Sequence, residues 1–398
     1  MFKVGRYPVH HGGVDVVRTL GRIGTDVYPV TEDRFTPAAR SRYTRRPIVW
    51  PTTGRETPEQ LVDGLLKIGA RIGRPAVLLV TDEEAAVLIA EHADELRTRF
   101  LLPDVPSDLP RRLASKWGLA EICWEQGIPA ARCARPENFE ELRARANEIG
   151  YPLALKNDRP WERLANPAVS STKIVHDAAE LDAVMAGWPA MPSVLVQEYL
   201  PSEQSEDWIV HSYAGQDCLL TFTGIKVRSW PAFAGATAIA YSTANPELAA
   251  LGENLCRSIG YRGIADMDWR LDLRDGTYKL LDFNPRVGMN FRLFETEGGI
   301  DVVRAMHLDL TGRPVPLGDQ VNGRRFVAEQ FAAAAALAYW RHPDAKPPQA
   351  TPPATEVERA WLAADDPLPA AFAAARLVGP AMHTLRGMLR NRLGRRRQ

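Results

Sequence analysis

Apolar and polar positions along this chain follow two rhythms that change places several times. In the first hundred residues, short apolar runs alternate with helical spacing. "FKVGRY" reads as a first strand, "VDVVRTLGRIG" as a helix stopped by Gly24, and "TDVYPV" and "RPIVW" as two more strands. A helix from Leu61 to Ile72 then leads into the buried strand "PAVLLV". Strands alternating with helices predict a parallel sheet. The first strand-to-helix loop carries His10, His11, Gly12 and Gly13. Such a loop can meet an anion at the helix N-terminus, and the sheet edge there is a natural place for a substrate.

"LPDVPSDLP" punctuates the chain, and the pattern changes after it. Helices read over "RRLASKWGLAEICWEQG" and "ENFEELRARANEIG" precede the strand "PLALKN". Another helix, "AAELDAVMAGW", precedes the strand "SVLVQEYL". From there to Gln330 the period is mostly two, broken by the helix "PELAALGENLCRSIG". "DLRDGTYKLLDF" holds Asp275-Gly276, a strong hairpin turn. Beyond the Pro-rich "HPDAKPPQATPPAT", two Ala-rich or Arg-rich helical stretches close the chain. The fold class is α/β followed by α+β.

Composition sets the bounds. A chain of 398 residues exceeds one ordinary core and predicts several domains. Hydrophobic and charged fractions of 45% and 25% suit a soluble globular protein. Lys plus Arg and Asp plus Glu are 49 each, so overall charge gives no reason to expect nucleic acid. The four cysteines form no CxxC pair and no zinc-site spacing, which fits reduced thiols. The N-terminus has no apolar signal core, and the longest clean apolar run, Phe331 to Trp340, is about half a membrane span. A cytoplasmic protein is expected.

The chemistry concentrates in "KLLDFNPRVGMNFRLF". Alternation puts Asp282 and Asn284 on one face of a strand. An antiparallel partner brings Asp268 onto that face, and Asp266 competes for the same place. Two carboxylates and an amide oxygen with an open side suit magnesium, whose remaining positions are filled by phosphate and water. Arg286, turned by Pro285, would set a fixed cation beside the phosphate. Arg292 could bind a carboxylate. Lys156 at the end of a buried strand and Lys116 at a helix start could each reach a phosphate. "VLVQEYLPSEQSED" runs from a strand into exposed backbone able to contact adenine, with Glu206 or Asp207 as a ribose acceptor. Lys226 and Arg228 alternate onto one strand face and suit an anionic substrate.

Taken in order, these pieces resemble the ATP-grasp superfamily of carboxylate–amine ligases, in its D-aspartate-ligase-like branch. "DFNPR" resembles the family's metal strand, "GYPLALK" its first nucleotide strand and "VLVQEYLPSEQSED" its hinge. The resemblance implies an N-terminal Rossmann-like pre-ATP-grasp domain over 1–110, a small lid subdomain over 111–195 and a large subdomain with the metal site over 196–330. A helical, basic extension over 331–398 completes the chain. It implies ATP as cosubstrate, with Lys116, Lys156 and Lys226 toward the nucleotide and Gln197, Glu198 and Leu200 at the hinge. Asp207 (or Glu206) would meet the ribose. Asp268, Asp282 and Asn284 would hold two Mg2+ ions, with Mn2+ as an alternative. Arg286 would stabilise the transition state, and Arg228 and Arg292 are candidate substrate residues.

Two features depart from the family pattern. The lid segment "NDRPWERLANPAVSSTKIV" contains no glycine, leaving Ser170, Ser171, Thr172 and Lys173 as its phosphate-facing candidates. Asp268 and Asp282 also stand where glutamate is common. The implied activity is ATP-dependent amide formation from a small carboxylate and an amine, one partner being an amino acid. An ATP-dependent phosphotransferase and a non-catalytic ATP-binding protein are the rival readings. A homodimer is compatible with the pattern. The basic tail "RGMLRNRLGRRRQ" suits weak contact with an anionic membrane surface.

Overall fold

The computed structural model describes residues 1–5, 10–159, 168–169, 172–233, 235–341 and 353–377. In the N-terminal domain, β1 (Val30–Thr31) pairs in parallel with β2 (Ile48–Val49), and β3 (Ala76–Val77) with β4 (Phe100–Leu101). Parallel bridges Phe2↔Val80 and Val27↔Thr44 extend these ladders. The expected parallel arrangement is present, in ladders much shorter than the apolar runs that announced them. Helix Pro58–Ile72 starts with a capping box between Thr57 and Gln60 and ends at Gly73, whose φ of 77° needs no Cβ. Phe2, Leu61, Leu65, Leu88 and Phe100 form the core between sheet and helices.

Between Cys133 and Glu198, largely the region expected to form the lid, lies a four-stranded antiparallel sheet. Its strands are β5 (Cys133–Ala134), β6 (Leu153–Asn157), β7 (Lys173–Val175) and β8 (Val194–Glu198), in the order β5-β8-β6-β7. Alternation along β6 sends Leu153 and Leu155 into the core against Leu142, Ala146 and Val196. Ala154 and Lys156 face the opposite side. Helix Lys116–Gln126 is fastened to the end of β6 by Asp158, whose carboxylate accepts from the Trp117 N–H at 2.9 Å.

The large subdomain is a seven-stranded sheet. It contains β9 (Ser205–Ala214), β10 (Leu219–Trp230), β11 (Ala236–Ser242), β12 (Gly263–Asp272), β13 (Thr277–Asn284), β14 (Arg324–Val327) and β15 (Glu356–Arg359). Their order is β13-β12-β9-β10-β11-β14-β15, antiparallel except for the β14–β15 pair. One face packs Val210, Met267, Trp269 and Phe283 with Leu248 and Leu255 of helix Pro246–Ser258. The other packs Ile209, Phe222 and Phe294 with Val303 and Met306 of helix Val302–Leu310 and with Val16 and Leu20 of helix His11–Gly21.

Helix Glu329–Arg341 precedes the Pro-rich segment, and of the two helical stretches expected beyond it one is described, at 368–377; the other falls outside the described residues. The C-terminal region also contains an element the pattern did not announce: β15 joins the sheet edge beside β14. From there the chain crosses to the N-terminal domain. Arg18 donates to the Asp366 carboxylate at 3.1 Å and to the Trp361 carbonyl at 2.8 Å. Asp366 also accepts from Ser41 Oγ at 2.7 Å and from the Arg42 N–H at 2.9 Å. Arg22 and Tyr43 hold Asp365, and Phe35 stacks on Phe372. The basic tail lies outside the described residues. Among the described residues, no helix is long and apolar enough to cross a membrane.

Candidate active site

An open cleft lies between the four-stranded sheet and the seven-stranded sheet. Lys156, Gln197, Glu198, Leu200, Asp207, Lys226, Asp268 and Asp282, all singled out from the sequence, line it together. Thr172 of the lid, Ile174, Tyr199, Phe233 and Arg270 complete the wall.

The hairpin sets the acids. Asp268 faces Asp282 across the β12–β13 ladder, and Asp266 faces Asn284. Asp268 and Asp282 keep side-chain exposures of 33% and 29%. Each is met by an ammonium group: Lys226 Nζ lies 2.7 Å from Asp268, and Lys116 pairs with Asp282. Asp266 is deeper and differently engaged. Arg286 Nη1 donates to it, and His211 Nε2 lies 3.0 Å from its other oxygen. The rivalry between the two acids thus has a structural answer: Asp268 opens to the cleft, whereas Asp266 anchors Arg286. Asn284 sits beside Asp266 and donates Nδ2 to its carbonyl at 3.1 Å, which leaves the amide oxygen as an acceptor.

The charges respond to this packing. Burial works to raise the Asp282 carboxyl, but Lys116, Lys156 and Arg286 outweigh it and hold it below its usual range. Burial would lower Lys226, yet Asp268 and Asp207 keep it raised. Lys156 feels Asp282 and Asp268 too, but they offset its burial only in part. Burial first, and then repulsion from Lys116, bring it down to about 8.

A glycine explains how the loop after β13 fits. A Cβ on Gly288 would lie 2.3 Å from the His211 ring and 2.7 Å from the Asp266 carboxyl carbon. Only a bare backbone passes there. The loop then meets the N-terminal domain, where a Cβ on Gly12 would come within 3.3 Å of Met289 Cα. His10 caps helix His11–Gly21 by accepting the Gly13 N–H at 3.2 Å. The His10–Gly13 segment therefore abuts the loop that carries Arg286.

Several expectations are redistributed. Arg292 is not at the cleft. It is 5% exposed and donates to Asp301 at 2.8 Å and Thr19 at 3.4 Å, with Glu295 and Glu358 nearby. Those acids consume the charge the sequence offered to a substrate. Arg228 is not among the cleft-lining residues either, because the β10–β11 register shifts on both sides of it and breaks the assumed alternation. Lys173 pairs with Glu180 at 3.1 Å on the lid surface. Ser170 and Ser171 lie outside the described residues. Glu206 accepts from the Trp208 indole at 3.2 Å, leaving Asp207 at the cleft. Glu198 turns its carboxylate to Arg132 and Arg274, at 3.3 and 3.0 Å.

Sequence reasoning missed three side chains. Arg270 Nε donates to Asp207 at 2.6 Å and its Nη1 to the Leu200 carbonyl at 2.7 Å, which pins the hinge. It alternates with Asp268 on β12, so period two could have found it. Glu83 and His211 gave no such signal, because their roles depend on contacts with Arg286 and Asp266 far along the chain.

The donor set fits a hard cation. Asp268 and Asp282 line the cleft, each met by an ammonium group, whereas Asn284 is buried beside Asp266 and is not among the cleft-lining residues. Among the described residues, no group of three or more His, Cys, Asp or Glu side chains is arranged to hold a metal ion, so a cation there would rest on two carboxylates together with substrate and water oxygens.

The fold is that of ATP-grasp proteins, and solved structures share it. Biotin carboxylase from Campylobacter jejuni matches with a TM-score of 0.61 at 14% identity, over 79% of this chain and 72% of that one. An L-amino acid ligase from Bacillus licheniformis matches with a TM-score of 0.56 at 19% identity, over 77% and 73%. Among curated proteins, the chain is similar to the D-aspartate ligase of Enterococcus faecium, 25% identical over 242 residues. That match spans 57% of each chain, a little over half the length of the relative. No family model matches the chain.

Proposed function

We propose that the protein is an ATP-dependent carboxylate–amine ligase with an amino acid as one substrate. The observation that carries this reading is the meeting of Lys156 and Lys226 with Asp268 and Asp282 in one cleft between two sheets, with Lys116 paired to Asp282. A carboxylate oxygen attacks the γ-phosphorus of ATP, and the bond to the β–γ bridging oxygen breaks to give an acyl phosphate and ADP. An amine then adds to the acyl carbon and phosphate leaves, forming the amide. Lys156 and Lys116 face the phosphates, Arg270 and the hinge backbone hold the nucleoside end, and Arg286 faces the charge that develops at the transferred group. Asp268, Asp282 and Asn284 would hold Mg2+, two ions with Mn2+ as a substitute, and the metal would neutralise phosphate charge. Lid closure keeps water from the acyl phosphate.

The amino-acid assignment draws on the D-aspartate ligase and the L-amino acid ligase. The proposal includes a cytoplasmic setting and a homodimer. A panel of carboxylates, each with and without added amino acids, tests it by ADP release and product mass. Amine-dependent release with an amide product is expected. A stable phosphorylated product formed without amine would instead identify a phosphotransferase.

Lys156 supplies a pH-dependent check. Its free-state value of about 8 means that it is already losing its proton at pH 8.5 to 9. Bound phosphates restore the charged form and move the group back toward ~10.4. Nucleotide binding near pH 8.5 is therefore expected to take up protons. The binding enthalpy should vary with the ionisation enthalpy of the buffer, and Lys156→Met should remove that variation. An enthalpy independent of buffer in the unaltered protein would refute the assignment.

A further inference from the structure

Arg286 is held from two domains at once. From the large subdomain, Asp266 takes Nη1. From the N-terminal domain, Glu83 Oε1 accepts from Nε at 3.0 Å and lies 2.9 Å from Nη2. The arginine side chain is only 13% exposed. Glu83 is the first residue of helix Glu83–Glu91. Its neighbour Asp82 caps that helix through the Ala85 N–H at 3.1 Å and also accepts the Gly5 N–H at 2.6 Å. The start of the helix is thereby tied to the end of the first strand segment. A free arginine side chain samples many rotamers. Here two fixed carboxylates on opposite edges remove that freedom, and the guanidinium can point only one way.

We propose that Glu83 is a positioning residue: the N-terminal domain aims Arg286, so that phosphoryl transfer in the cleft depends on a side chain from outside it. The inference rests on the ligase reading for its kinetic consequence and on the geometry alone for its structural one. A misplaced charge near the reacting group can cost on the order of a hundred-fold in rate.

Two measurements on the full chain separate these layers. The first needs no substrate. With 15N-labelled arginine, the Arg286 Nε–H resonance, assigned by its loss in Arg286→Lys, should be resolved in the unaltered protein. It should shift or broaden in Glu83→Ala and partly return in Glu83→Asp. An unchanged resonance in Glu83→Ala overturns the proposal, whether or not a substrate has been found. The second is kinetic. Once the carboxylate panel has shown ADP release, Glu83→Ala should lower kcat about a hundred-fold with KM for ATP changed less than about threefold. Glu83→Asp should recover part of the loss. An unchanged kcat, or a parallel loss of kcat, ATP affinity and thermal stability, overturns the positioning role. Absence of ADP release from the unaltered protein across the panel counts against the ligase reading and leaves the resonance test to decide Glu83.

Discussion

Asp282→Ala is expected to lower ADP release at least about a thousand-fold, equivalent to about 4 kcal/mol of transition-state stabilisation. The melting temperature should stay within a few degrees of the unaltered protein. The two halves of this expectation come from the position of the side chain. Asp282 stands directly opposite Asp268 on the hairpin and opens to the cleft, so its removal leaves no cavity in a core. Its partner Lys116 keeps access to water, with a side-chain exposure of 16%, and is not stranded. What disappears is one of two carboxylates able to share a cation with phosphate. Asp266→Ala makes an informative contrast, because it leaves Arg286 and His211 buried beside an empty position. That variant should lose stability as well as activity. Normal turnover in Asp282→Ala would falsify the metal assignment.

The largest expected effect on stability lies far from the cleft. Arg18→Ala should destabilise the fold by about 3–5 kcal/mol, read from the shift of the urea midpoint at constant slope. Arg18 and Asp366 are 2% and 1% exposed, so neither can turn to water. Removing the cation leaves Asp366 with only the neutral donors Ser41 Oγ and the Arg42 N–H, and strands Asp15, which lies 3.8 Å away with no hydrogen bond of its own among the described residues. It also deprives the carbonyls of Trp361 and Asp366 of their donor. Arg18→Lys should rescue little, because one ammonium cannot reproduce the planar fork that reaches all three oxygens. An unchanged midpoint in Arg18→Ala would mean that this segment adds nothing to the docking of the domains.

The part of the site legible in the sequence was the part held by local geometry. Asp275-Gly276 fixes the hairpin and brings the two acid-bearing strands together, but a strict count from the turn sets Asp268 opposite Leu281; a register shift between Asp268 and Trp269 moves the ladder by one, so that Asp268 meets Asp282 and Asp266 meets Asn284. Lys156 could be read because β6 alternates between core and cleft. Elsewhere, distant partners decided the outcome. Arg292 follows the metal strand closely and looked available, but Asp301, Glu295 and Glu358 surround it. Arg228 was misread because a bulge carries no mark in the pattern. Asp266 and Asp268 were indistinguishable until Arg286 and His211 had positions. β15 was hidden because four residues after a Pro-rich stretch give little periodicity, and its pairing depends wholly on an edge that β14 supplies.

The clasp between helix His11–Gly21 and Asp366 also bears on how the protein is made. Arg18 and Asp366 are 348 residues apart in sequence. During synthesis the N-terminal domain emerges first, and its helix carries a buried arginine whose acceptors have not yet been translated. The lid and the large sheet can form in the meantime from contacts nearer in sequence. The joint that seats the N-terminal domain, and with it Glu83 against Arg286, is finished only when the ribosome has passed residue 366. A nascent chain halted before that point would carry every cleft-lining residue and still lack the clasp that fixes the domains around it.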